Sequence, residues 1–180
     1  MENLKKAGDL MIPLEEYPHV PYWFTLRQVV AIMEKTRVNP RVPGSPSLAR
    51  YVLVFNEAYK LLGITRRRDI LRGLQPRFVA ALPDPNPPGE KTPAGEGQNP
   101  GPPAASYDAL IKGLCEQAER PVSEVMLPIQ STVAFDDHIG KVIQEMVRNN
   151  LSMVPVLKEN MVAGVIRSVE VFHEIAKLIL

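Results

Sequence analysis

The sequence has little cysteine, since Cys115 is the single one among 180 residues. An internal disulfide is therefore excluded, and a cysteine cluster for metal has too few ligands, as expected in a reducing compartment. We interpret Cys115 as a small apolar residue on a helix, because free cysteines are usually buried. The histidines at positions 19, 138 and 173 lack metal-ligand spacing. We expect no metal site and no catalytic cofactor.

Long hydrophobic runs and excess charge are also missing. No stretch approaches the roughly 18 apolar residues of a membrane span, and the N-terminal segment lacks the apolar centre of a signal peptide. The 21 lysines and arginines nearly cancel the 20 aspartates and glutamates. Such a balance disfavours bulk binding to nucleic acid or to an acidic membrane. We therefore expect a cytoplasmic protein that does not insert into membranes and has no nucleic-acid partner.

Motifs for catalysis are missing as well: there is no GxSxG, no Walker loop and no zinc motif. The neighbouring carboxylates Glu15 and Glu16, or Asp136 and Asp137, rarely converge on one substrate. Asp136 or Asp137 is better interpreted as the N-cap of a following helix, because its side chain can accept from free amides there. The sequence gives no support for an enzyme.

A sharp change of composition divides the chain. Residues 83–103 contain eight prolines and several glycines. This segment has too little apolar surface to offset the entropy lost when a chain becomes ordered. We predict a flexible linker there, between a first half at 1–82 and a second half at 104–180. The overall 45% hydrophobic content is ample for burial in both halves.

The two halves repeat the same order of patterns. Each begins with a short acidic turn that ends in methionine and proline, GDLMIP at 8–13 and SEVMLP at 123–128. An amphipathic helix follows, with apolar residues at helical spacing from Leu26 to Met33 and from Ile139 to Val147. Two strands then form a predicted hairpin, at 51–55 and 60–65 in the first half and at 153–157 and 161–166 in the second. A final helix follows Asp69 or Glu170.

The first repeat is longer than the second. Met11 and Gly63 are 52 positions apart, whereas Met126 and Gly164 are 38 apart. Proline and glycine punctuate residues 38–47, so we place most of the additional residues in a loop there.

This ordered set of patterns resembles the cystathionine-beta-synthase (CBS) family. SEVM, VPV and GVIRSVEV in the second half, and GDLM and GITRRRDIL in the first, stand where the family repeat has its motifs. The resemblance covers nearly everything outside the linker and the loop. It implies an α/β (α+β) fold with two tandem repeats, each a three-stranded sheet packed on two helices, related by a pseudo-twofold axis. It also implies clefts between the repeats that hold adenosine compounds.

The resemblance assigns roles to matching positions. Asp69 takes the place of the aspartate that holds ribose hydroxyls, which a carboxylate suits because it accepts from two neighbouring hydroxyls. Glu170 takes that place in the second repeat. Both stand at helix starts, where a carboxylate is also favoured for structural reasons. Backbone near the first strands and the VPV motif would read adenine, at Val20, Val133, Val154 and Pro155.

The chain departs from the family at the phosphate position, where Arg66 and Arg167 replace serine or threonine. A guanidinium offers a charged fork that matches phosphate oxygens, but its bulk could instead close the cleft. Thr65 precedes Arg66 and, on a strand, should face the other way. Arg67 and Ser168 complete the candidate set, although the run from Arg66 to Arg68 also fits a solvated basic turn.

We therefore expect a regulatory module that senses AMP, ADP, ATP or a related adenosine compound as a regulatory ligand. The alternative is a protein interaction module with degenerate clefts, using the arginines and the aromatic residues Tyr22, Trp23 and Phe24. A nucleic-acid binder using residues 66–72 is the weakest of the three. We also expect a homodimer, because both halves end in apolar helical faces, and a regulated protein partner whose identity the sequence leaves open.

Overall fold

A computed structural model describes residues 5–39, 47–80 and 107–180. The linker predicted at 83–103 lies outside the described residues, as does most of the loop predicted at 38–47. The helices are α1 (Ala7–Leu10), α2 (Leu26–Lys35), α3 (Arg67–Leu74), α4 (Arg77–Ala80), α5 (Tyr107–Ala118), α6 (Ile139–Arg148) and α7 (Ser168–Ile179). The strands are β1 (Ile12–Pro13), β2 (His19–Pro21), β3 (Arg37–Val38), β4 (Ser47–Leu48), β5 (Tyr51–Phe55), β6 (Leu61–Arg66), β7 (Leu127–Pro128), β8 (Val133–Ala134), β9 (Met153–Lys158) and β10 (Met161–Arg167).

Two four-stranded sheets share one construction. In the order β2-β5-β6-β7, the first pair is parallel and the other two pairs are antiparallel. The order β8-β9-β10-β1 has the same pattern. Each half thus supplies the three strands that were predicted, including the β5–β6 and β9–β10 hairpins. The fourth strand of each sheet comes from the other half.

The exchanged strands lie in the two segments that were predicted to be acidic turns, 8–13 and 123–128. Gly8 lies within α1, and β1 pairs with β10 of the second half, with Ile12 opposite Val165. In the same way β7 pairs with β6 of the first half, with Leu127 opposite Ile64. The helix that precedes each exchanged strand also packs on the other half. Helix α1 contributes Ala7 to the core of the second half, and α5 packs on α3 of the first. The halves are therefore interlocked.

Three apolar cores result. One lies under α2 and α3, around Val29, Val52 and Ile70. A second lies under α6 and α7, around Val142, Val154 and Ile166. A third, which includes Leu53, Phe55, Met153 and Val165, joins the two sheets. This central core brings the surfaces of both repeats together where clefts were predicted.

The predicted helices are confirmed, with local differences. The N-cap of α6 is His138, whereas the Asp137 carboxylate accepts from the Ala134 amide at 2.8 Å and so closes the preceding turn. No bounds for helix α5 were predicted from the sequence, although Tyr107, Leu110, Ile111, Leu114 and Ala118 recur there at helical spacing. Cys115 lies on α5, as a helical residue should, but it is exposed. Among the described residues, no helix combines the length and the apolar character that crossing a bilayer requires.

Candidate functional site

An open cleft of about 230 Å³ lies between the two repeats. The end of β6 and the start of α3 form one side, and β7, the start of β9 and the loops before β8 and β9 form the other. Its apolar lining consists of Tyr51, Ile64, Leu127, Pro128, Ile129, Leu151, Met153 and Pro155. Its polar lining consists of Arg66, Arg68, Gln130, Ser131, Asn149, Asn150 and Ser152. Such a site combines an apolar wall with hydrogen-bonding groups and cationic charge.

The two arginines of the cleft differ in their partners. Arg68 is exposed, and within the described ranges its guanidinium has no ion pair. Arg66 instead forms a bidentate ion pair with Asp69: its Nε lies 2.7 Å from Oδ2 and its Nη2 lies 3.0 Å from Oδ1. The backbone amide of Arg66 also donates to Oδ2, at 3.0 Å, which caps the start of α3.

Asp69 is buried beneath this pair, with 1% of its surface exposed, and it does not line the cleft. Burial by itself raises the pKa of the Asp69 carboxyl, but the hydrogen bonds from the side chain and backbone of Arg66 bring that pKa below its ordinary value. The carboxylate is therefore ionised: Arg66 donates to both of its oxygens, and Arg72 Nη1 lies 3.8 Å from Oδ1. Arg66 stands between the predicted ribose ligand and the cleft.

The second repeat has the same arrangement. Arg167 Nε lies 3.0 Å from Glu170 Oε2, its Nη2 contacts Oε1, and its backbone amide donates to Oε2 at 3.1 Å. Glu170 is also 1% exposed. The additional methylene of glutamate thus preserves both the ion pair and the cap of α7.

Beside Arg167, the position equivalent to the open cleft is buried among the described residues, however. Strand register makes Ile12 and Val165 equivalent to Leu127 and Ile64. Leu127 and Ile64 are half-buried at the open cleft, whereas Ile12 and Val165 are fully buried. Tyr17, Val38 and Ala49 are buried in the same central core as these two residues, each with at most 2% of its surface exposed. Val38 belongs to the β3–β4 hairpin, which flanks the loop of the first repeat, so this additional segment occupies the equivalent position.

Tyr17 is the tyrosine that is buried in the central core beside Arg167. Burial raises the pKa of its hydroxyl well above the ordinary value, although the nearby charge of Arg167 acts in the opposite direction. Arg167 is correspondingly less exposed than Arg66, with 16% of its side-chain surface accessible against 26%. The two repeats therefore share the ion pair between an arginine and the carboxylate three residues later, but they differ in their clefts, and Asp69 has Arg72 as a second cationic neighbour.

The other predicted residues are distributed unevenly. Pro155 lines the open cleft. Thr65 faces away, as expected, and its buried hydroxyl has no partner in the described part of the chain. Arg67 and Ser168 are exposed at the starts of α3 and α7, and Arg67 does not line the cleft. The side chains of Val20, Val133 and Val154 lie in the repeat cores.

Sequence reasoning missed the polar wall formed by the second half. Asn149 and Ser131 meet there because both hydrogen bond to Glu145 Oε2, at 3.1 Å and 2.6 Å. Lys141 donates to the other oxygen of Glu145 at 2.8 Å. Hydrogen bonds from Lys141 and Ser131 lower the pKa of Glu145 to about 2. The i, i+4 spacing of residues 141, 145 and 149 is visible in the sequence, but Ser131 is not on that helix.

Comparison with known families and structures agrees with this geometry. The family model described as CBS domain matches residues 122–177. A comparison with curated proteins gave no sequence match. Among solved structures, the CBS domain of a CBS domain-containing membrane protein from Sphaerobacter thermophilus has a TM-score of 0.64 at 19% identity, covering 99% of this chain and 89% of that one.

Two further structures were solved with nucleotides. CBSX2 in complex with AMP has a TM-score of 0.59 at 12% identity and covers 96% of this chain and 97% of its own. The cytosolic domain of the Mg²⁺ channel MgtE in complex with ATP has a TM-score of 0.58 at 19% identity, covering 94% of this chain and 48% of its own. Residues 122–177 thus match the CBS domain by sequence, and the chain as a whole has the fold of a CBS domain pair.

Proposed function

We propose that this CBS domain pair is a regulatory module that binds an adenine nucleotide in its open cleft. The observation that carries the proposal is the composition of the cleft. Tyr51, Ile64 and Met153 offer an apolar surface for a base, and Arg68, which has no ion pair with any described residue, offers a cation at the same opening. Apolar walls with a few placed polar groups are typical of small-molecule sites.

Ligands of similar structures support the choice of nucleotide. CBSX2 was solved with AMP and MgtE with ATP. Because both repeats line the cleft, a ligand there would contact both and would favour one arrangement of the repeats over another. Regulation requires only this difference in affinity, since a ligand that binds two states equally shifts neither. We infer binding and no catalysis, and one ligand for each chain because the equivalent cleft is filled.

Calorimetric titration with AMP, ADP, ATP and S-adenosylmethionine tests the proposal. We expect micromolar binding of at least one nucleotide, with one site per chain. Arg68→Ala should weaken that binding, because a phosphate loses a charged donor. Arg67→Ala is the matched control: it removes the same charge from the adjacent exposed position, outside the cleft, and should leave the affinity unchanged. Absence of binding across the panel would reject nucleotide sensing.

An interaction module remains the second candidate, and one observation favours it. Both predicted ribose carboxylates are buried in ion pairs, so neither offers a free acceptor to a cleft. Of the aromatic residues proposed for an interface, Trp23 is about half exposed, whereas Tyr22 donates to Glu57 and Phe24 packs on a core. This candidate would be favoured if none of the titrated nucleotides bound and if Trp23→Ala abolished the binding of a protein partner.

A further inference from the structure

A second pocket lies between the tips of the two hairpins, next to the open cleft. The turn from β5 to β6, the turn from β9 to β10 and the loop from β7 to β8 surround it. Its volume is about 460 Å³, against about 230 Å³ for the cleft, and falls within the roughly 300–1,000 Å³ common for ligand pockets. Ile129 lines both spaces, but neither arginine of the cleft lines the pocket. The pocket is therefore separate from the proposed nucleotide site.

Most of the pocket wall is apolar. The apolar side chains are those of Leu61, Ile129, Leu157, Met161 and Val162. Leu61 and Val162 pack against the central core that joins the two sheets, whereas Met161 is 53% exposed. A ligand with an apolar body would remove this surface from water, which favours its binding.

The charge at the pocket has one sign. Among the described residues that line it, Lys60 is the charged one, and Thr132 and Asn160 are further polar side chains. None of these three side chains has a hydrogen bond or ion pair within the ranges that the structure describes. Glu159 belongs to the same turn as Asn160 but does not line the pocket. Because all three side chains can donate hydrogen bonds, the pocket favours an anionic group.

The backbone at the hairpin tips is unusual. Tyr59 and Asn160 have φ angles of 56° and 64°. Asparagine enters this left-handed region fairly often, but a bulky residue such as tyrosine rarely does. Ring contacts hold Tyr59, with centroids 5.6 Å from Phe55 and 6.3 Å from His19. Such conformations are found preferentially at ligand sites, and Lys60 is the residue that follows this one.

We propose that this pocket binds an amphiphilic anion, a small molecule with an aliphatic body and one carboxylate. The body would lie against the apolar wall, and the carboxylate would accept from Lys60, Thr132 and Asn160. The ligand would thus connect the hairpins of both repeats. This site does not depend on nucleotide binding, because Arg68 belongs to the cleft alone.

The first experiment uses the unaltered chain and compares octanoate, octylamine and acetate by calorimetric titration. We expect octanoate to saturate at one molecule per chain and to bind at least about tenfold more tightly than the other two. Octylamine has the same aliphatic body but brings a positive charge to Lys60, and acetate has the carboxylate without the body. No binding of octanoate, or equal affinities for octanoate and octylamine, would overturn the proposal. Titration with AMP tests the nucleotide site separately.

The second experiment localises the ligand with two exposed positions of the pocket, Lys60 and Met161. Lys60→Gln should lower the preference for octanoate over octylamine to less than about threefold, because the charge that distinguishes them is gone. Lys35→Gln removes the same charge from an exposed position on α2 and should keep the preference.

Met161→Glu should weaken octanoate binding at least about tenfold, since it places a like charge at the apolar wall, whereas Met161→Leu should bind as the parent does. Parental affinity for octanoate in both Lys60→Gln and Met161→Glu would overturn the proposal. Loss of octanoate binding in Arg68→Ala would assign this ligand to the cleft and would overturn it as well. If one variant fails to fold, the other variant and the ligand series on the unaltered chain still decide.

Discussion

Glu145 is a residue whose charge holds part of the cleft together. It accepts hydrogen bonds from Ser131 and Asn149, both of which line the cleft, and from Lys141 on its own helix. Because these partners favour the ionised form, the pKa of Glu145 is lowered to about 2 in the folded protein. Its charge therefore contributes to stability above the ordinary carboxyl pKa, and that contribution decreases as the pH falls toward 2.

Replacement of this carboxylate should change the acid sensitivity of the protein. We expect Glu145→Gln to melt at a lower temperature than the parent at pH 7, and we expect the difference to shrink as the pH is lowered from 5 toward 3, because the parent then loses the same charge. Thermal melts monitored by circular dichroism over this range measure the difference. Glu34→Gln, at an exposed position on α2, is the control. A difference that grows on acidification would contradict the assignment.

At the scale of elements, two glycines admit the exchanged strands. A Cβ at Gly63 would lie 2.5 Å from the Leu127 carbonyl oxygen, and a Cβ at Gly164 would lie close to that of Ile12. Both oxygens belong to backbone that is hydrogen bonded in the sheet and cannot move aside cheaply. The glycine in each GI or GV motif therefore serves the strand that arrives from the other half.

Alanine at either glycine should consequently separate an exchanged strand from its sheet. We expect Gly63→Ala and Gly164→Ala each to lower the free energy of unfolding by more than about 1 kcal/mol, as overpacking typically does. Gly140→Ala is the control, since its Cβ would meet open space on α6 and alanine favours helix. Urea denaturation gives the three values. Unchanged stability of Gly63→Ala and Gly164→Ala would mean that the exchanged strands contribute little.

At the scale of the whole molecule, apolar side chains remain on the outer helices. Phe172 and Ile179 on α7 are both 74% exposed, and Leu71 occupies on α3 the position equivalent to Phe172. Val147 on α6 is exposed as well. Such apolar surface is commonly covered by another subunit, which supports the homodimer expected from the sequence.

Disruption of this surface should leave monomers. We expect the parent chain to sediment as a dimer and Phe172→Glu to shift it toward the monomer, because a charge would be buried between subunits. Ala31→Glu adds the same charge on the exposed side of α2 and should remain dimeric. Sedimentation velocity at several concentrations measures both. A parent chain that is monomeric at every concentration would reject the homodimer.

The sequence alone determined the features that depend on local periodicity. Apolar residues at helical spacing located α2, α6 and α7. Pairs of short apolar runs separated by a polar turn located the β5–β6 and β9–β10 hairpins. The repeated order of these elements indicated the CBS fold. The sequence also shows an arginine three residues before Asp69 and before Glu170. Within one helix start, that spacing brings the two side chains close to each other.

Tertiary structure decided what depends on contacts between distant segments. The two-residue strands β1 and β7 have too few residues for a periodic signal, so their exchange between halves could not be read from the sequence. The same holds for the clefts: the sequence left open whether both could bind, and the folded chain buries Tyr17, Val38 and Ala49 in the core beside the second one. Whether Arg66 faces a ligand or its own Asp69 was likewise open, because both are compatible with the spacing and only the folded geometry places the guanidinium on the carboxylate.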